Sequence, residues 1–288
     1  MIFILICRST YTSIEHAKRI DMKRLRSNRF QDFFEETKYI ALKNYLYNYL
    51  LRKMIVEKNL QGQSPELILE VGSGISPVMT RTSHIIYSDF SFTAVKALKN
   101  SLGKGWYVVA DGMHLPFRSG VFSHTISSEV LEHLPDDQQA INEISRVMRP
   151  QGHFVVTFPH RKFYFGNDDR FVDHYRRYEL NEMIERLNLA GLEPVHIQKV
   201  LGPLEKATMS TVVFCYDMMQ KFIKNKKEKG IRKKPFPFMK GITFLFKWAN
   251  RMYMALAWLD ARIWPREFAT ILLINSIKTG KIGSCSND

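Results

Sequence analysis

Leu67-Ile68-Leu69-Glu70-Val71-Gly72-Ser73-Gly74, an apolar run closed by an acid and a glycine turn, opens the stretch that decides the fold. A second run, Ile85-Ile86-Tyr87-Ser88, stops at Asp89, and a third, Trp106-Tyr107-Val108-Val109-Ala110, stops at Asp111-Gly112. Each is short, apolar and unbroken, as a buried strand is, and each brings a carboxylate to its C-terminal end. An open α/β sheet binds nucleoside ligands along that edge. Gly72 and Gly74 let the backbone turn tightly and approach a ligand with no Cβ in the way. A dinucleotide site would carry a third glycine and open into a helix whose N-terminus faces pyrophosphate. Here Ile75-Ser76-Pro77 follows, with Pro77 suited to a first helical turn. Glu70, just ahead of the glycines, would repel phosphate and favour a cation. Asp89 lies about twenty residues further on, where an acid that binds ribose hydroxyls is expected. The ligand read from these residues is an adenosine carrying positive charge.

Working outward, residues 67–158 read as strand, helix, strand, helix, strand, strand, helix, strand, a parallel sheet with helices on both faces. Residues 31–58 read as one helix, its core stripe formed by Leu42, Tyr45, Leu46, Tyr49, Leu50 and Met54. After the fifth strand, His160–Arg170 and Asp173-His174-Tyr175-Arg176-Arg177-Tyr178 form a loop rich in aromatic and basic residues. It leaves the ligand edge and would suit a substrate lid; equally, its arginines could pair with surface acids while Tyr178 anchors it. A helix over about 180–189 follows, then strands at 194–200 and 269–278.

These motifs resemble the class I S-adenosylmethionine-dependent methyltransferases, in particular the broad group that includes the ubiquinone/menaquinone-type enzymes. Glu70-Val71-Gly72-Ser73-Gly74 is similar to that family's first motif and Asp89 to its ribose-binding acid. Ala110-Asp111-Gly112-Met113-His114-Leu115-Pro116-Phe117 is similar to the adenine-binding segment. Phe122–Asp137, with Ser127-Ser128-Glu129-Val130-Leu131-Glu132-His133, and Glu143–Phe158, with Arg149-Pro150-Gln151-Gly152-His153, complete four motifs in family order. Ser76 departs from the pattern where many relatives carry glycine, which touches turn geometry. The resemblance implies a Rossmann-like seven-stranded α/β sheet whose last two strands form an antiparallel pair. It implies S-adenosyl-L-methionine as cofactor, held by Glu70, Gly72, Ser73, Gly74, Asp89, Phe90, Asp111, Gly112, Met113 and Ser128. Gly72 and Gly74 would line the methionine part with Glu70 near its amino group, Asp89 the ribose, and Asp111 the adenine amino group beside Met113. No metal is implied. If the acceptor carries a proton, His133, His160 and His174 are the candidate bases, none of them assigned.

The chain of 288 residues has room for one large α/β domain with additions. The domains expected are a 1–58 extension and helix, a 59–202 cofactor-binding core, a 203–265 basic and amphipathic helical insertion between strands six and seven, and 266–288 with the last strand. Cys7, Cys215 and Cys285 form no C-x-x-C pair, so neither a disulfide framework nor a zinc finger is indicated and a reducing cytoplasm is the natural setting. Met1–Cys7 is apolar but too short to span a bilayer, and Met22 is an alternative start. The net charge of +14 gathers at 18–29 and 221–240.

Within the insertion, residues 238–259 are apolar but interrupted by Lys240, Lys247 and Arg251, which fall on one stripe of a helix, opposite Ile242, Leu245, Phe246, Ala249, Met252, Tyr253 and Leu256. This helix would dock on the core, form a dimer, or lie in an anionic membrane surface through residues 221–264. Charge recurs too often for a transmembrane span. The function expected is methyl transfer to a small apolar or membrane-derived acceptor (lipid, isoprenoid or quinone-like), in the cytoplasm and peripherally at the inner membrane face. The alternatives are an RNA methyltransferase, for which no RNA-binding module is visible, or a non-catalytic cofactor-binding scaffold at a membrane.

Overall fold

In the computed structural model, residues 44–60, 66–227 and 239–280 are described. The extension 1–43 and most of the two basic tracts lie outside these residues, as do Cys7 and Cys285. Seven strands form one sheet in the order β3-β2-β1-β4-β5-β7-β6: β1 (Ile68–Val71), β2 (Ile85–Asp89), β3 (Trp106–Val109), β4 (Phe122–Ser128), β5 (Met148–Pro159), β6 (Leu192–Leu201) and β7 (Ile271–Lys278). The first five are parallel, while β7 runs antiparallel to both β5 and β6.

The two faces of the sheet are covered by different helices. On one, Ile141, Ile144 and Val147 of α3 (Asp137–Val147) and Met183 and Leu187 of α5 (Leu180–Leu189) pack over Leu69, Val156 and Ile274. On the other, Leu51, Ile55 and Val56 of α1 (Tyr47–Asn59), Leu98 of α2 (Phe92–Leu102) and Ala257 of α7 (Met239–Ile263) cover Ile68, Tyr87 and Leu273. Burying one such aliphatic side chain stabilises by roughly 1.5–3 kcal/mol, so each face holds a substantial core. A short α4 (Asn167–Phe171) follows β5, and the long α6 (Pro203–Lys227) follows β6.

One expectation is corrected. No helix joins β1 to β2; residues 72–84 run irregularly. Pro77 has no N–H to donate, and the next two amides, Val78 and Met79, donate to the Glu70 carboxylate at 2.8 and 3.2 Å instead of to helical carbonyls. α1 fills the space a helix would occupy and clamps the loop. Tyr49 Oη donates to the Pro77 carbonyl at 2.8 Å, Lys53 reaches the Thr80 hydroxyl, and Glu57 pairs with Arg81 at 2.7 Å.

Of the alternatives for the insertion's second helix, α7 docks on the core. Its core face is Asn250, Tyr253, Met254, Ala257 and Ala261, with Asn250 accepting from the Tyr47 amide and Tyr253 edge-on to Tyr47. Met252 and Leu256, two of the apolar residues read as lying opposite the basic stripe, are exposed at 54 % and 56 %. Alanines on the inner side let the helix approach closely, and the larger apolar residues point outward.

Candidate active site

The parallel register brings the ends of β1, β2, β3 and β4 to one edge, pairing Val71 with Ser88 and Ser127, and Asp89 with Val109. The amides of Gly72 and Ser73 both donate to the Ser88 carbonyl, at 2.8 and 3.0 Å, which curls the glycine loop over the end of β2. Gly72 and Gly74 have φ of +71° and +53°, left-handed values that favour glycine. A Cβ on Gly72 would lie 2.4 Å from Val130 Cγ2, whereas one on Gly74 would meet no atom within 4 Å. The loop is therefore packed on one side and opens on space at Gly74. Ser73 Oγ, Ser76 Oγ and Glu129 Oε1 are buried there without a hydrogen-bond partner among the described residues.

Asp89 is joined directly to this cradle. Its Oδ2 accepts from the Gly74 amide at 2.8 Å and its Oδ1 from the Ser91 amide at 2.8 Å, while Ser91 caps α2 by accepting from Ala94. Phe90 sits half-buried between them. One strand over, Asp111 Oδ1 accepts from the Met113 amide at 2.9 Å, and Gly112 lies against Val71, where a Cβ would come within 3.3 Å. Ser128 closes β4, its hydroxyl 2.8 Å from that of Thr157 on β5.

Glu70 stands apart from this group. It faces α1 beneath the loop, fully enclosed; burial pushes its carboxyl up to about 8, against the pull of the Val78 and Met79 amides. Its role in the fold is to shape the loop from below.

A second polar cluster lies past β4. Glu129 follows the strand at φ +56° with its amide on the Thr157 carbonyl. Glu132, in the 3-10 turn Leu131–His133, is fully buried with neither carboxylate oxygen hydrogen-bonded, and burial followed by the nearby Glu129 raises its pKa well above the usual range. His174 places Nε2 3.7 Å from Glu132 and Nδ1 3.0 Å from Asp169, its ring edge-on to His133 at 4.7 Å. Burial would raise Asp169, but bonds from His174, Arg177 and Lys206 hold it well below the usual carboxylate range. Burial pushes Glu205, in the first turn of α6, up to about 7, with Arg177 and Thr270 opposing.

Of the three histidines singled out in the sequence, the structure brings His133 and His174 together. His160 is elsewhere, buried, donating from Nδ1 to the Ala269 carbonyl at 2.9 Å, and it ties β5 to the start of β7. The loop 160–178 is bound by buried partners and does not hang free as a lid. Arg177 pairs with Asp169, and the Tyr178 hydroxyl donates to Asp137 at 2.7 Å, where Arg176 and Arg186 also converge at 3.0 Å. Asp169, Glu132 and Glu205 were not predicted as site residues. Glu132 lay within the quoted Leu131-Glu132-His133 segment, and Asp169 was marked only as one of two adjacent acids in a loop rich in basic residues.

Residues 69–156, from β1 into β5 and holding Gly72, Gly74, Asp89, Asp111 and Ser128, match a family described as a methyltransferase domain. Over this segment the chain is similar to methyltransferase domains. A probable S-adenosylmethionine-dependent methyltransferase of Mycolicibacterium smegmatis is 32 % identical to the chain over 98 residues, 33 % of this chain and 37 % of that protein. An S-adenosylmethionine-dependent methyltransferase structure from Thermotoga maritima superposes with a TM-score of 0.54 at 13 % identity, covering 86 % of this chain and 98 % of that one. Haemonchus contortus phosphoethanolamine N-methyltransferase 2, in complex with S-adenosyl-L-methionine, superposes at 0.53 with 14 % identity, covering 87 % of this chain and 60 % of that one. The fold is that of the class I enzymes. The chain spans about a third of the length of the curated relatives it matches. The residues present fit the cofactor: the opening at Gly74, the unpartnered buried hydroxyls and the acids on β2 and β3 offer room, acceptors and negative charge for a cationic nucleoside.

Proposed function

We propose that the chain transfers the methyl group of S-adenosylmethionine to a small amphiphilic acceptor (lipid, isoprenoid or quinone-like, in keeping with the subgroup its motifs resemble) taken from an anionic membrane surface. The observation that carries this reading is where the insertion leaves the sheet. Leu201, at the end of β6, and Pro159, at the end of β5, both pair with Ile271 at the start of β7. The α6–α7 hairpin therefore emerges at the edge that holds the cofactor cradle. Lys206, in the first turn of α6, bonds Asp168 and Asp169 of the loop beyond β5 at 2.7 Å. Along α7, Trp248, Met252, Leu256, Leu259 and Ile263 are all about half or more exposed. At about 100° per residue they fall within an arc of about 80°, facing away from the core side, with Arg251 and Arg262 along one flank. Arg262 stacks on Trp258 at 4.1 Å. An exposed apolar stripe edged by arginine and tryptophan suits the headgroup boundary of an anionic bilayer. Among the described residues no helix is long and apolar enough to cross a membrane, so contact would be from one side.

When bound, S-adenosylmethionine supplies an activated methyl carbon, so the protein's task is alignment and exclusion of water. In this reading Asp89 orients the ribose, Asp111 and the Met113 amide orient the adenine, and the Gly72–Gly74 turn with Ser128 borders the methionine part. Flotation tests the membrane half: the protein should rise with phosphatidylglycerol-containing vesicles, and Trp248→Ser/Met252→Ser/Leu256→Ser should not. Cofactor binding by calorimetry should be the same for both. Equal flotation of the two proteins removes the membrane surface from the reading; absent cofactor binding removes the chemistry.

A further inference from the structure

We infer that Glu132, His133 and His174 form a binding site for a divalent transition metal of the zinc type. One ligand atom from each lies within 4.8 Å of the others. A bound Zn²⁺ sits about 2.0–2.2 Å from nitrogen and oxygen ligands, so the three groups close on an ion with shifts of about an ångström.

Three further features point to an ion. Glu132 is fully buried and neither of its carboxylate oxygens accepts a hydrogen bond from a described residue. A carboxylate hidden in this way is costly unless a cation faces it. Asp169 accepts from His174 Nδ1 at 3.0 Å, which leaves Nε2 as the lone-pair nitrogen, and Nε2 faces Glu132 at 3.7 Å. A carboxylate behind an imidazole fixes ring and tautomer in this way in metal sites. Asp169 is itself anchored by Arg177 and Lys206, each at 2.7 Å, so these two nearby cations are already paired. Two imidazoles with one carboxylate suit zinc, cobalt or similar ions, whereas magnesium and calcium prefer oxygen alone. With three protein ligands, a fourth position remains for water or another molecule. Glu132 and His133 lie in the turn after β4, beside the edge that carries Ser128 and Glu129, and His174 reaches them from the loop beyond β5. The site does not depend on the membrane reading above.

The test uses the full chain, stripped of metal by chelation and titrated with Zn²⁺ or Co²⁺. One equivalent should bind, with the visible absorption of four-coordinate Co²⁺. Affinity should fall at least about tenfold in Glu132→Gln and His174→Ala, and by about 10–100-fold in Asp169→Asn, which leaves all three ligands in place. Circular dichroism of each metal-free variant checks folding. Should Glu132→Gln fail to fold, Asp169→Asn and the cobalt spectrum of the unaltered chain decide. No saturable binding, no four-coordinate cobalt spectrum, or binding that ignores all three substitutions overturns the site.

Discussion

Placing a methyl group on Gly74 separates the needs of the fold from those of the ligand. Gly74 has φ +53° and its missing Cβ would touch nothing within 4 Å, so Gly74→Ala costs the fold only the left-handed backbone penalty, about 1–2 kcal/mol. Reduced freedom of the unfolded chain offsets about 0.4–1 kcal/mol of that, leaving a net loss near 1 kcal/mol. Gly72 is the control. At φ +71° it bears the same backbone penalty, and its Cβ would also overlap Val130 Cγ2 at 2.4 Å, adding about 1–3 kcal/mol of overpacking. Gly72→Ala should therefore be less stable than Gly74→Ala by about that amount in urea unfolding, and Val130→Ala should relieve much of the difference. Calorimetry with S-adenosylmethionine reads the other half. If the space beside Gly74 belongs to the cofactor, Gly74→Ala should lose at least about tenfold in affinity, or 1.4 kcal/mol. Wild-type affinity in a folded Gly74→Ala protein would refute the placement of the cradle.

Asp89→Ala removes the acceptor for the Gly74 and Ser91 amides; with charge-assisted bonds near 1.5–3 kcal/mol each, calorimetry should show cofactor affinity reduced about a hundredfold or more, and a change under threefold would contradict the ribose role. Tyr178→Phe deprives buried Asp137 of its 2.7 Å bond and should destabilise by about 1.5–3 kcal/mol in denaturant, with Arg176 and Arg186 still present to limit the loss. His124 is held down to about 4 by burial first and then by His153 and Arg149, so it stays neutral in the folded chain while the unfolded chain takes up a proton near 6.5. The stability it contributes is complete above about 6.5 and is lost as pH falls toward about 4, up to about 3 kcal/mol. Unfolding of His124→Gln across that window should show a shallower slope; an unchanged slope would place the titration elsewhere.

Strand ends and the helix before β6 are local signals, and they were legible; the stripe read for the first helix was not, since Met54 is exposed and Leu51, Ile55 and Val56 are buried. Runs closing on Glu70, Asp89 and Asp111 became β1, β2 and the turn after β3, and the helix expected at about 180–189 is observed at Leu180–Leu189. What escaped was set by partners distant in sequence. A helix after Gly74 looked reasonable until Glu70 took the Val78 and Met79 amides and α1 took the loop's outer side. Hydropathy left the partner of α7 open among core, dimer and membrane; the side that meets the sheet carries Ala257 and Ala261, small enough to approach it. Asp169, joined to His174, Arg177 and Lys206, belongs to a network whose members no periodicity connects.

The clamp of α1 on residues 77–81 also bears on the order in which the molecule assembles. A helix following β1 would fold with its strand; here the segment gains its shape only when Tyr49, Lys53 and Glu57 arrive from another part of the chain. The shape of the loop beneath the proposed cofactor cradle is thus tied to a helix that is distant from it in sequence. Loss of that one helix would free the loop at its outer side and strip one face of the sheet together.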